Sequence, residues 1–322
     1  MLPPWFRIRI NAIASAPALS RRDGWLKDIA RDRWLYLMLL PGVLYFMAFK
    51  YLPMYGVVIA FMDYKPYLGF AESPWVGWKH FERFFGEPQF WQLFRNTAVL
   101  ALYNLIFFFP LPIMLALLLN ELRRERFKRF VQTCVYVPHF VSWVVVVGIF
   151  YLLFTTEGGV INELIFLLTG ERIAFLLEPE WFRTMIVSQQ IWKEAGWGTI
   201  IFLAALAGVD LQLYEAARID GANRWHLLWH ITLPAIRSTI VILLILRLGN
   251  FLDSGFEQIF LMLTSTNREV GEVFDTYVYM RGLTQAQYSY STAVGLFKSV
   301  VGLALVVGAN WLARRSGEEG VY

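Results

Sequence analysis

Residues 211–236 read LQLYEAARIDGANRWHLLWHITLPAI. Glu215-Ala216-Ala217 is followed after three residues by Gly221, and after nine more by Ile231-Thr232-Leu233-Pro234. The segment is a polar island between two strongly apolar stretches. Leu211, Leu213 and Ala217 on one side of Asp220-Gly221, and Leu227, Leu228 and Ile231 on the other, predict two short amphipathic helices broken at the glycine. Gly221 tolerates the positive φ that ends a helix, and Asn223 offers a side-chain oxygen to cap the next one. Pro234 suits the first turn of a following long helix, where its missing N–H costs nothing. Ala216 and Ala217 let another surface approach closely, and Glu215 presents a charge to an Arg or Lys on it. A plain cytoplasmic helix-turn-helix linker with a solvated Glu215 is the bland alternative, and a bare E-A-A triplet would not exclude it.

What surrounds the segment is built for lipid. The 322 residues are 57% hydrophobic and only 17% charged, against about 25% charged in soluble domains, and the mean hydropathy is +0.48. A spanning helix needs roughly 20 mainly apolar residues. Such stretches lie near 35–62, 94–120, 133–156, 185–208, 237–264 and 290–313. The expected fold is therefore an all-α membrane protein of about six transmembrane helices. Residues 1–33 form a basic tail suited to the anionic inner leaflet, 34–313 the membrane domain, and 314–322 a short cytoplasmic tail. The first long apolar run begins only at Trp34, so no cleavable signal pattern is expected and the first helix reads as a signal-anchor.

The cations set the orientation. With both termini inside, seventeen Lys and Arg residues fall on cytoplasmic segments, among them Arg7, Arg22, Arg124, Lys128, Arg218 and Arg315, and eight fall outside. That asymmetry follows the positive-inside rule, and it puts the 209–236 loop in the cytoplasm between the fourth and fifth helices. The net charge of +4 is explained by topology and implies no nucleic-acid partner. Cys134 is the single cysteine, which rules out an internal disulfide and a Cys-rich metal site.

The E-A-A, three residues, Gly, nine residues, I-x-L-P pattern resembles the "EAA" loop of permease subunits in bacterial ATP-driven (ABC-type) importers, and every fixed position of that pattern is filled. Val76-Gly77-Trp78-Lys79-His80-Phe81-Glu82, with Phe90-Trp91 and Arg95-Asn96-Thr97 after it, resembles the outer loop of carbohydrate-importer permeases. Phe49-Lys50-Tyr51-Leu52-Pro53-Met54-Tyr55-Gly56 resembles the oligosaccharide and polysaccharide branch. The resemblance implies a heteromeric complex: a homologous second permease, two ATP-binding subunits carrying ATP and Mg, and an extracytoplasmic solute-binding protein that delivers a carbohydrate. Glu215, Ala216, Ala217, Asp220, Gly221, Leu233 and Pro234 would then receive the push of the ATPase. No cofactor is implied on this chain.

Polar residues inside apolar helices are costly and usually face a cavity or a partner. The fourth stretch carries Gln189, Gln190, Lys193 and Glu194 beside Trp192 and Trp197; the fifth carries Arg247, Asn250, Asp253, Ser254, Glu257 and Gln258. Spacings of three and four put most of the latter on one face of a continuous helix. Lys193, Glu194, Trp192, Arg247, Asn250, Asp253 and Glu257 are thus candidates for a sugar pathway. Amides and carboxylates would meet hydroxyls, aromatic faces would meet pyranose rings, and cations would meet an acidic sugar such as an alginate-derived oligosaccharide. The same residues can instead hold helices together; His139 with Ser142 after Pro138, and Lys50, lean that way. Trp75, Trp78 and Trp91 serve equally as interfacial anchors or sugar contacts.

Enzyme signatures are missing. No G-x-x-x-x-G-K phosphate loop occurs, so ATP hydrolysis is not expected on this chain. His226 and His230 are four apart, but Leu227 stands where a zincin has Glu, and no third ligand is in view. A secondary transporter, which needs inverted repeats and broken helices, and a membrane-embedded enzyme are the competing classes. Neither accounts for the Glu215 loop.

Overall fold

The computed structural model describes residues 31–315, 317 and 320; the expected basic tail therefore lies almost wholly outside the described residues. Among these the chain is all-helical, with one isolated antiparallel bridge, Met62 to Trp75. The described residues up to Val58 and those from Ile59 onward form two compact units. Three helices are long and apolar enough to cross a membrane: α1 (Arg33–Phe61), α2 (Gln89–Glu121) and, last in the chain, Tyr288–Arg315. Three more spans emerge if bent pairs count as one each. The expected six stretches are thus present as helix, but the third is broken at Val141-Ser142 and the fifth between Gly249 and Phe256.

The breaks have local causes. Pro138 leads a short 3-10 turn, Val137–Phe140, at the end of α3 (Glu125–Phe140). Ser142 then adopts an extended conformation and caps α4 (Trp143–Phe154), its hydroxyl accepting from the Val145 N–H at 3.4 Å. The two helices meet at 104°. With 12 residues, α4 is about 18 Å long, short of the ~30 Å of a hydrocarbon core. Helix α5 (Val160–Thr169) follows, closed by Gly170 in the left-handed region. Asn162 within it is fully buried and donates to the carbonyls of Phe154, Thr155 and Ile173. It staples the turn between α4 and α6 (Pro179–Ala207), a helix of 29 residues.

After the 211–236 segment comes α7 (Arg237–Gly249), then an irregular stretch, then α8 (Phe256–Met262). Two short helices, α9 (Arg268–Gly271) and α10 (Phe274–Tyr279), lead to α11 (Tyr288–Arg315). The main core cluster knits Leu100 of α2, Val146, Val147 and Phe150 of α4, Phe182, Met185 and Ile186 of α6, and Ile259 and Met262 of α8. A second gathers Phe84, Phe90, Leu93, Leu252, Phe274, Tyr277, Tyr290 and Val294. Many large apolar side chains stay outside these clusters, among them Leu118, Leu152, Ile201 and Leu303. A lipid-facing exterior asks for that.

Gln189 and Gln258 are fully buried. Gln258 donates to the Ile186 carbonyl at 2.7 Å and to Gln189 Oε1 at 3.0 Å, tying α8 to α6. These amides act as interhelical glue.

Candidate functional site

Residues 211–236 fold much as their pattern predicts. The first helix, Leu211–Ile219, is capped by Asp210, whose carboxylate accepts from the Gln212 N–H at 2.9 Å. It ends in a Schellman-type closure: the Ala222 N–H reaches the Ala217 carbonyl at 2.9 Å, and Gly221 takes φ +82°. Asn223 caps the next helix, accepting from the His226 N–H at 3.0 Å. Leu227 is buried, and Tyr214 shares a 3.0 Å hydrogen bond with the buried Thr232 hydroxyl, so the two helices brace each other. Pro234 does sit in a first helical turn, Leu233–Ala235, but that turn meets α7 at a 57° bend near Ile236 and does not run straight into it. Glu215, Ala216, Asp220 and Gly221 are exposed, as are Leu211, Leu213 and Ile219. Glu215 lines a groove of about 800 Å³ together with Arg123, Arg218 and Arg224. His226 and His230 stack at 5.8 Å, and no metal-binding group of three or more ligands occurs among the described residues.

The fourth-span candidates divide. Lys193 is buried and donates to the His139 carbonyl at 2.5 Å, where α3 ends. Glu194 lies 3.3 Å from Lys193 Nζ and accepts from His139 Nδ1 at 2.7 Å. The His139 ring stacks flat on Trp197, centroids 4.3 Å apart. Lys193 therefore caps the broken end of α3 while Glu194 and Trp197 hold the imidazole. Trp192, by contrast, is exposed.

The fifth-span expectation needs correction. The helix stops at Gly249; Asn250 to Ser254 are irregular, and Gly255 takes φ +81° before α8 begins. Arg247, Asn250, Asp253 and Glu257 consequently do not share one helical face. Arg247 stands over Phe108 at 5.1 Å and makes no ion pair with Glu257, which is exposed beyond the break. Arg247 does lie within electrostatic range of Glu194. Arg247, Asn250 and Asp253 still come together, lining one small cavity with Asn104 and Ser254.

Two residues that sequence reasoning missed hold this break. Lys298 of α11 pairs with Asp253 at 2.7 Å and with Asp275 of α10, and Asp275 also accepts from the Ser254 N–H at 3.2 Å. One carboxylate thus serves a backbone donor freed by the interruption and the cation beside it. Irregular backbone at membrane depth survives only where it is buried or lines a cavity, and a cavity of about 430 Å³ does lie here, lined by Asn250, Asp253, Asp275 and Lys298. Lys298 is the lone charge in the last apolar stretch, a signal that was available; its partners, 23 and 45 residues away, were not. Lys298→Met should lower the thermal stability of the purified protein by roughly 3 kcal/mol, because it leaves Asp275 without its cation. Lys298→Arg should retain most of it, and an unchanged melting curve for the Met variant would refute the role.

A family model described as the inner membrane component of binding-protein-dependent transport systems matches residues 108–317. The chain belongs to this family. It is 60% identical to Protein LplB of Bacillus subtilis over 95% of this chain and 97% of that one. It is 58% identical to the polygalacturonan/rhamnogalacturonan transport system permease protein YteP of the same species, over 97% and 99%. The crystal structure of a bacterial alginate ABC transporter with its alginate pentasaccharide-bound periplasmic protein contains a chain 43% identical, with a TM-score of 0.83 over 92% of this chain and 99% of that chain. This inner-membrane permease is thus a multi-pass helical protein, as its composition requires.

In the permease, the aromatic segment after α1 is a small packed unit. His80 bonds the Met62 carbonyl at 3.0 Å, and Phe61 stacks on Trp75 and meets Trp78 edge-on. Trp75 and Trp78 thus have packing roles while remaining exposed. The start of α2 is anchored by Glu87, which receives Arg83 at 2.8 Å, Tyr277 at 2.9 Å and Tyr290 at 2.8 Å. Burial pushes the Glu87 carboxyl up, but the hydrogen bonds from Tyr290, Tyr277 and Arg83 outweigh it and leave it below its usual range. Asn96 and Thr97, singled out by resemblance, hold the chain after α8: Asn96 donates to the Glu269 and Glu272 carbonyls, and Thr97 accepts from the Phe274 N–H.

Proposed function

We propose that this permease is one of two transmembrane subunits of an ATP-driven importer of oligosaccharides, and that residues 211–236 couple it to a separate ATPase. The observation that carries the coupling role is the loop itself. It is a braced helical hairpin with Glu215 and Ala216 exposed on its first helix, Gly221 exposed at its turn, and an apolar rim of Leu211, Leu213 and Ile219. Internal bracing lets such an element transmit force as a lever, and the exposed apolar rim requires a partner surface. In this reading both termini and the loop are cytoplasmic, residues 34–313 form the membrane domain, and a homologous permease completes the pathway. Two ATP-binding subunits bind ATP and Mg, and an extracytoplasmic binding protein delivers the sugar. Relatives named for polygalacturonan/rhamnogalacturonan and for alginate transport support an acidic oligosaccharide as cargo.

The pathway we favour runs past Arg247, Asn250 and Asp253, at the interruption of the fifth span. Lys193 and Glu194 belong to the packing of α3 against α6. Two substitutions separate these roles. Arg247→Gln should leave assembly intact and cut uptake of an acidic oligosaccharide tenfold or more, since Arg247 has no carboxylate at ion-pair distance among the described residues and its loss strands none. Lys193→Gln should instead lower the yield of assembled complex, because it takes the ammonium from Glu194 and from the His139 carbonyl, at a cost of roughly 3–5 kcal/mol. Assembled yield and transport are measured side by side in proteoliposomes with the cognate binding protein. Full uptake of an acidic sugar by Arg247→Gln would remove the electrostatic pathway.

A further inference from the structure

Helix α3 leaves one face uncovered. Phe127, Phe130 and Val137 are each more than half exposed, and Cys134 between them is exposed as well. Steps of three, four and three residues align these four in one stripe. The other side of α3 carries the half-buried Val131 and Val135, and the Val135 carbonyl lies against Gly196 of α6. The stripe therefore points away from the apolar span on which α3 packs. An exposed stripe of this kind calls for lipid or another protein over it.

The charge at the head of the stripe points to lipid. Arg123, Arg124, Arg126, Lys128 and Arg129 fall within seven residues, with Glu125 the one acid among them. Glu125 lies 3.9 Å from Arg129, and both are exposed. Arg124, at the N-cap of the helix, and Arg126 are exposed and make no ion pair among the described residues. Arg124 is three residues before Phe127 and Arg126 four before Phe130, so each stands one turn ahead of a stripe residue. Unpaired guanidinium forks followed by an apolar stripe match the two parts of an anionic phospholipid, the phosphate and the acyl chain. We propose that α3 binds an anionic phospholipid, its phosphate held by Arg124 and Arg126 and one acyl chain laid along Phe127, Phe130, Cys134 and Val137. The site goes beyond the importer reading and does not depend on the cargo.

The test uses the importer with its partner subunits, reconstituted in phosphatidylcholine nanodiscs. Cys134 is the single cysteine of this chain, so with cysteine-free partner subunits it takes a bimane fluorophore at one place. Lipids brominated on the acyl chain quench that fluorophore where they touch it. Brominated phosphatidylglycerol should quench at a several-fold lower mole fraction than brominated phosphatidylcholine. Arg124→Gln and Arg126→Gln should each raise the phosphatidylglycerol fraction required about fivefold, and Arg126→Lys should recover part of the loss. Both arginines are exposed, so neither change should disturb the fold, and the wild-type comparison of the two lipids needs no variant. Equal quenching by the two lipids overturns the site, as does a phosphatidylglycerol preference unchanged in both Gln variants. A Cys134 that labels in the isolated permease and not in the assembled importer also overturns it, because a partner subunit would then cover the stripe.

Discussion

Glu215→Lys and Gly221→Asp are each expected to abolish uptake, by a hundredfold or more, while the chain still inserts and folds. Neither side chain is needed to hold the fold. Glu215 is exposed, and an added Cβ at Gly221 would meet nothing within 4 Å. The internal brace, Tyr214 to Thr232 and Leu227 buried beneath, is untouched by either change. In the proposed reading, what changes is the surface offered to the ATPase. Lys reverses a charge in a groove already carrying Arg123, Arg218 and Arg224, and Asp adds bulk and charge at the tip. Asp must also take φ +82°, a conformation that costs a residue with a Cβ about 1–2 kcal/mol. Asp tolerates it better than most residues, so the strain alone does not unfold the loop. The measurement is substrate-stimulated ATPase activity and uptake in proteoliposomes, beside the yield of membrane-inserted chain. Normal transport in Gly221→Asp would refute the idea that this loop is the lever.

Gly196→Ala is expected to be the most damaging single-methyl change in the permease. The Cβ of an alanine here would overlap the backbone carbonyl of Val135, where α6 crosses α3. A flexible side chain could swing aside; a carbonyl held in a helix cannot. Relief requires the two helices to separate, and that would pull Lys193 from the His139 carbonyl and His139 from Glu194. Overpacking of side chains typically costs about 1–3 kcal/mol, and this contact should exceed that range. Gly148→Ala is the control, since nothing lies within 4 Å of its added Cβ. Detergent-solubilised protein should show a marked fall in monodisperse yield and melting temperature for Gly196→Ala and little change for Gly148→Ala. Equal behaviour of the two would mean that the crossing is looser than the structure has it.

Much of the 211–236 loop was legible because its interactions are local. The Asp210 and Asn223 caps, the left-handed Gly221 and the buried Leu227 all act within a few residues of their partners, and capping and turn rules apply at that range. The six apolar stretches were legible for the same reason: hydropathy sums over neighbours. The polar residues were harder. Periodicity assumes an unbroken helix, so it placed Arg247, Asn250, Asp253 and Glu257 on one face, whereas the break at 250–255 turns the last of them away. Gly255 with φ +81° marks that break, yet glycine alone does not announce a positive φ.

Composition, periodicity and the motif were sufficient for an all-helical membrane chain, the positions of its apolar segments and the hairpin at 211–236, since each follows from residues near one another. Which charges pair was decided elsewhere. Lys193 became a cap because the bend at Pro138 brings the His139 carbonyl beneath it. Lys298 gained two carboxylates because α7, α10 and α11 converge at the broken span. Arg183 meets the Asn96 amide oxygen because Asn96 turns its hydrogens to the Glu269 and Glu272 carbonyls. Each outcome depends on segments tens of residues apart meeting through close packing. A one-dimensional pattern does not encode such distances, and only the folded helices set them.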